Sequence, residues 1–167
     1  MKKMTEEFLK NALAGESQAH VKYAAFAERA AKENLPNIAR LFRANSYAEQ
    51  VHATNHLRTL GGIGKTAENL EGAISGENFE VTEMYDAYKL VAEHQGEKAA
   101  LMMFTRAMEA EKVHAVLYKN AKDAVANGQD APAVAIHVCP VCGFTMDGLA
   151  PDTCPLCNAT KDKFVEF

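Results

Sequence analysis

The chain has 167 residues, with 18 Lys and Arg against 22 Asp and Glu, a formal charge of -4 at pH 7 and 48% hydrophobic residues. That balance offers no basic stripe for nucleic acid, no run of about 18 apolar residues for a membrane span, and a charged Met1 to Leu13 where a signal peptide needs an apolar stretch. All four cysteines, Cys139, Cys142, Cys154 and Cys157, fall near the C-terminal end. The clustering marks a second, small module, and in the reducing cytoplasm these features point to, paired thiols are metal ligands before they are disulfides.

Helical periodicity predicts four long helices. The first spans about Thr5 to Glu33 and stops before Leu35-Pro36, because proline disfavours helix at the residue before it. The second spans about Asn37 to Leu60 and ends at Gly61-Gly62. Thr66 can cap the third, which runs to about Gln95 before Gly96, and the fourth runs from about Glu97 to Asn127, closed by Gly128. These predict a helical domain over 1–130, a linker over 131–136 containing Pro132, and a module over 137–167 in which helical periodicity is lost.

The buried stripes of these helices carry the chemical signal. Steps of four and three along the first helix select Leu9, Leu13, Glu16, His20, Tyr23 and Ala27; along the second, Ile38, Phe42, Asn45, Glu49, His52 and His56. The third gives Glu77 and Glu80 between Ala73 and Met84, and the fourth gives Glu111 and His114 between Ala107 and Tyr118. Unpaired carboxylates at core positions cost several kcal/mol each, roughly, unless positive charge offsets them. No Lys or Arg lies on these stripes at the same height, so metal is the simplest answer.

Distances from the connecting turns place Glu16, Glu49, Glu77, Glu80 and Glu111 within a few ångströms of one level, at about 1.5 Å rise per residue. Glu49 with His52 and Glu111 with His114 are two ExxH steps, and residues three apart share a helix face. A glutamate helix followed by an ExxH helix, twice over, is the di-metal carboxylate pattern of ferritin-like four-helix bundles, with Glu80 beyond the usual six ligands. Oxygen-rich ligands with two imidazoles suit Fe or Mn. His20 and His56, a turn from Glu16 and His52, read as hydrogen-bonded core histidines before ligands. Tyr23 and Tyr85 are placed to donate hydrogen bonds to ligating carboxylates, or to serve as ordinary core rings.

The cysteines form two CPxC knuckles, Cys139-Pro-Val-Cys142 and Cys154-Pro-Leu-Cys157. The two-residue spacing turns both sulfurs of a knuckle toward one ion, and two knuckles complete a tetrahedron that holds Zn or Fe. A one-electron iron beside a redox centre has an evident use, which favours iron; a structural zinc ribbon is the alternative.

Together, Gly15-Glu16-Ser17-Gln18-Ala19, Ala48-Glu49-Gln50-Val51-His52, Gly76-Glu77-Asn78-Phe79-Glu80, Thr82-Glu83-Met84-Tyr85, Glu111-Lys112-Val113-His114 and the cysteine tail resemble the rubrerythrins over essentially the whole chain. The resemblance implies an all-α ferritin-like four-helix bundle with a small β- and loop-rich rubredoxin-like domain, working as a non-haem di-iron peroxidase that reduces hydrogen peroxide to water in oxidative-stress defence. It implies di-iron ligands Glu16, Glu49, His52, Glu77, Glu80, Glu111 and His114, with Glu80 exchanging with His52 as one iron changes oxidation state. The same resemblance gives a mononuclear iron on Cys139, Cys142, Cys154 and Cys157, supplied by a rubredoxin or an NAD(P)H-linked reductase. Asn158 stands where glycine is common in such knuckles, and asparagine tolerates positive φ. The rival reading is an iron-oxidising or iron-storing ferritin relative with a structural zinc-ribbon tail.

One feature of the connectivity departs from ferritin-like expectation. The connector Gly61 to Thr66 is short: about six extended residues reach about 20 Å, whereas a helix of about 24 residues is roughly 36 Å long. The expectation is a domain-swapped homodimer in which the first two helices of one chain meet the last two of its partner.

Overall fold

The computed structural model describes residues 1–167 and divides into two compact units, Met1–Gly64 and Lys65–Phe167. The first is a hairpin of α1 (Lys3–Lys32) and α2 (Pro36–Thr59). Asn34 at φ 58° turns the chain, Leu35 N–H donates back to the Ala30 carbonyl, and Pro36 opens α2 where its missing N–H costs nothing. Partners run in opposite order, Glu16 beside Glu49, His20 beside Ser46, Tyr23 beside Phe42, as antiparallel helices require. Small side chains let the two helices approach: Ala27, Ala30, Ala39 and Ser46 are buried.

The second unit begins with one long rod in three segments: α3 (Thr66–Phe79), a π-helical turn over Glu80–Met84, and α4 (Tyr85–His94). The sequence predicted this rod as uninterrupted helix, and the π turn is the difference. Its start also differs by one residue, for Lys65 is the N-cap and Glu68 accepts a hydrogen bond from Lys65 N–H at 2.7 Å. That leaves Thr66 as the first helical residue. Gly96, at φ 72°, turns the chain into α5 (Lys98–Ala126).

After the linker, β1 (Ile136–Val138), β2 (Thr145–Asp147) and β3 (Val165–Glu166) form an antiparallel sheet in the order β2-β1-β3. His137 pairs with Met146 on one side and Glu166 on the other. The sheet and the cysteine loops enclose a core of Cys139, Cys154 and Ala159, with Phe144, Leu156 and Phe164 packed against it. Within this unit β2 packs against α5. Large apolar side chains of the first hairpin stay exposed, among them Phe8, Val21, Leu41 and Tyr47. The same holds for Leu90, Val91, Met103 and Val116 in the second unit. No helix is long and apolar enough to cross a membrane.

Candidate metal centres

Three groups of side chains bring metal-ligating atoms within 4.8 Å of one another: Glu16, Glu49 and His52; Glu77, Glu111 and His114; and the four cysteines. The first lies wholly on the α1–α2 hairpin. There His52 Nδ1 is 3.0 Å from Glu49 Oε2 and 3.9 Å from Glu16 Oε1. The second repeats that triangle on α3 and α5, with His114 Nδ1 2.6 Å from Glu111 Oε2 and 3.9 Å from Glu77 Oε1. In each, the i, i+3 step aims the histidine and its glutamate at one point, and the facing helix supplies the other glutamate.

The repetition extends beyond the ligands. Tyr23, Phe26 and Phe42 form a triangle of rings with centroids 5.5 to 6.3 Å apart. Tyr85, Tyr88 and Phe104 form another at 5.6 to 6.2 Å. Phe42 precedes Glu49 by seven positions, as Phe104 precedes Glu111. On the other helix of each pair the count slips: Glu16 to Tyr23 is seven, Glu77 to Tyr85 eight. The additional residue is absorbed in the π turn, which keeps both the carboxylate and the ring in register. That mismatch between the two halves was the signal for the π turn, and periodicity alone passed over it.

Glu80 opens the π turn and stands outside the triad, although the charges of Glu111 and His114 act on it. His20 turns away from the carboxylates: its Nδ1 lies 2.9 Å from the Ser46 carbonyl, and Ser46 Oγ donates to the His20 carbonyl at 2.9 Å. It ties α1 to α2. His56 reaches the centre only through its charge on Glu16. Tyr23 lies in its ring triangle; Tyr85 does too, with Glu80, Glu111 and Glu77 within electrostatic range.

The carboxylates crowd one another. A hydrogen bond to Glu49 raises Glu16 above the usual carboxylate range, helped by burial, while the same bond and His52 hold Glu49 below it. Burial, then the charge of Glu111 and a hydrogen bond to it, pushes Glu77 up to about 7. Burial and the Glu111 charge raise Glu80. Each pair thus shares a proton, and a cation at the centroid of the triad would take the place of that proton. Carboxylate oxygens with one imidazole per triad fit iron.

The cysteine cage is built by two copies of one loop. Cys139 N–H donates to the Phe144 carbonyl and Cys154 N–H to that of Ala159, while Gly143 and Asn158 N–H close back on Cys139 and Cys154. Gly143 sits at φ 81° and Asn158 at φ 60°, so asparagine adopts the left-handed conformation expected of it. Sulfur pairs Cys139–Cys157 and Cys142–Cys154 are 3.5 Å apart and all four are unbridged. Burial and the neighbouring thiols push Cys142 up, as burial does Cys157. Against its own burial, backbone N–H groups at Leu156 and Cys157 draw Cys154 down. Four thiols this close, one of them eased toward thiolate by backbone N–H groups, fit a tetrahedral metal. The cage adjoins the helical centre of its own unit, since the Gly143 carbonyl lies 3.3 Å from His114 Nε2.

Fold and site together define a helical metalloprotein with paired carboxylate–histidine triads and a four-thiolate centre. Residues 7–122 match the rubrerythrin family and residues 137–165 the rubredoxin-like domain of rubrerythrins. The chain is 40% identical to rubrerythrin-2 of Clostridium acetobutylicum, covering 98% of this chain and 97% of that protein. It is 36% identical to nigerythrin of Nitratidesulfovibrio vulgaris, covering 98% and 86%. Nigerythrin structures in a mixed-valence and a fully reduced, all-ferrous state align with TM-scores of 0.57, at 35% and 34% identity, over 98% of this chain and 86% of theirs. The chain belongs to the rubrerythrin family, a family of iron oxidoreductases. Its cofactors are a carboxylate–histidine di-iron centre and a four-cysteine iron, the latter a site that zinc also fits.

Because Glu77 holds a proton up to about pH 7 in the metal-free protein, ferrous ion must displace it below that pH. Affinity of the helical centre is expected to rise with pH and level off above about 7, with proton release on binding that shrinks over the same range. Calorimetry in buffers of different ionisation enthalpy reads the proton count directly; binding that is pH-independent between pH 5 and 8 would contradict the assignment.

Proposed function

We propose that this chain is a peroxidase that reduces hydrogen peroxide to two molecules of water, consuming two electrons and two protons per turnover, in cytoplasmic oxidative-stress defence. The observation that carries the reading is the joining of two kinds of centre in one unit: the four-cysteine cage lies against His114 of a carboxylate triad through the Gly143 carbonyl. A storage protein gains nothing from a one-electron centre there.

When bound, the two irons of the helical centre would supply the electron pair for O–O cleavage, and the cysteine-held iron would pass on replacements taken singly from a rubredoxin or an NAD(P)H-linked reductase. Glu16, Glu49, His52, Glu77, Glu111 and His114 would hold the irons, and Glu80, set apart by the π turn, would exchange with His52. Tyr85 keeps its hydroxyl proton, because burial and then the charge of Glu80 raise its pKa. It can therefore serve as a hydrogen-bond donor to the carboxylates throughout the cycle.

The di-iron centre would be assembled by a homodimer, with α1 and α2 of one chain facing α3, α4 and α5 of the other. Two features support the exchange. Only residues 60–65 connect α2 to α3, and each unit leaves bulky side chains such as Leu41 and Val116 uncovered, an unusual amount of exposed apolar surface for a finished monomer.

Iron-loaded protein should show ferric four-sulfur absorption that bleaches with NAD(P)H and a reductase and returns on adding peroxide, with activity lost in Glu111→Ala. A colourless, zinc-filled tail and no peroxide turnover would favour the iron-storing reading. The exchange of hairpins has its own test. Mixing Glu49→Ala with Glu111→Ala chains should restore about half a normal complement of sites per mixed dimer, because one of its two centres then draws both halves from intact partners. If every chain built its own centre, mixing would restore none.

A further inference from the structure

Thr145, in β2, touches the helical centre although no motif contains it. Its hydroxyl lies 2.9 Å from His114 Nε2 and 3.0 Å from the Gly143 carbonyl, and that carbonyl is itself 3.3 Å from the same ring nitrogen. A carbonyl only accepts, so the single hydroxyl hydrogen of Thr145 goes to Gly143 and its lone pair faces the imidazole. With the hydroxyl committed to that carbonyl, both neighbours of Nε2 can accept a hydrogen from it. Once a metal sits between Nδ1 and the carboxylates, Nε2–H leaves the lone pair of the ring on Nδ1; Nδ1 lies 2.6 Å from Glu111 and 3.9 Å from Glu77, on the side a metal would occupy.

We propose that Thr145 is a positioning residue for the helical metal centre: by bridging the Gly143 carbonyl and His114 Nε2, its hydroxyl holds the ring in the form and direction that present Nδ1 to the metal. This rests on His114 being a ligand. The matched half of the centre shows what the contact adds. His52 stands to Glu49 as His114 does to Glu111, yet its side chain is 55% exposed and its Nε2 has no partner within its hairpin. The His114 side chain is 24% exposed and braced from behind. Of two otherwise repeated triads, one imidazole is held at both ring nitrogens and the other, within its hairpin, at Nδ1 alone. Such outer contacts fix ligand orientation, and by reciprocity metal on Nδ1 strengthens the seating of β2 on α5.

Thr145 could instead merely fill space beside the cavity of about 480 Å³ that runs between α5 and the linker. Thr145→Val keeps that volume and removes the hydroxyl; Thr145→Ser keeps the hydroxyl and removes the methyl. The full chain, labelled with ¹⁵N-histidine and carrying one zinc in the cysteine cage, serves for the measurement, with the His114 signals assigned through His114→Gln. With zinc also filling the helical centre, the parent and Thr145→Ser should show His114 as a single Nε2–H form with slow solvent exchange of that hydrogen. Thr145→Val should show fast exchange of that hydrogen and about 10- to 100-fold weaker cobalt(II) binding at the helical centre, with the zinc cage unchanged. Unaltered exchange and affinity in Thr145→Val would overturn the proposal while leaving the metal centre standing. Unaltered cobalt binding in His114→Gln would overturn the ligand assignment, and the Thr145 proposal with it.

Discussion

The architecture depends on one electrostatic constraint: glutamates held side by side where two helices meet. Glu16 with Glu49 and Glu77 with Glu111 are close enough to share a proton, and like charges at that separation cannot both be ionised without a cation. Helix spacing, the hydrogen-bonded His20–Ser46 tie and the ring triangles all keep these carboxylates opposed rather than letting them splay toward water. The stability given up by crowding acids is recovered when metal binds, which couples loading to folding.

The two units solve this constraint with one repeated device, and their differences set the two triads apart. In the α1–α2 hairpin, His52 has only Glu49 and Glu16 for company. The other unit adds three things: the π turn that presents Glu80, a phenol at Tyr85 in reach of three carboxylates, and the cysteine module against His114. Two chemically similar triads are thereby made unequal.

Much of this was legible in the sequence because helical periodicity and metal-ligand spacing are both local. The interval of three between Glu49 and His52, or Glu111 and His114, states a shared face directly, and the CPxC knuckles state a cage. Asn158 could be read as a positive-φ residue from its place after the second knuckle, and it is one. The π turn escaped because one inserted residue barely disturbs an amphipathic pattern; only the comparison of Glu16–Tyr23 with Glu77–Tyr85 reveals it. Thr145 escaped for a different reason. Its partner, His114, is 31 residues away, and a threonine in a short strand announces only a strand. His20 was flagged by its position on the stripe, but whether it would ligate or hydrogen-bond depended on the facing Ser46, which periodicity does not pair with it.

The proposed homodimer requires that the two triads, one from each chain, hold one bridged metal pair rather than two separate ions. Low-temperature magnetic measurement on the iron-loaded, oxidised full chain addresses it most directly. Carboxylate-bridged ferric ions should couple antiferromagnetically, so that the helical centre gives no ferric resonance, leaving only the high-spin signal of the cysteine iron, and a mixed-valence signal should appear on addition of one electron per pair. Two independent, uncoupled ferric signals from the triads, unchanged in shape on partial reduction, would contradict the account.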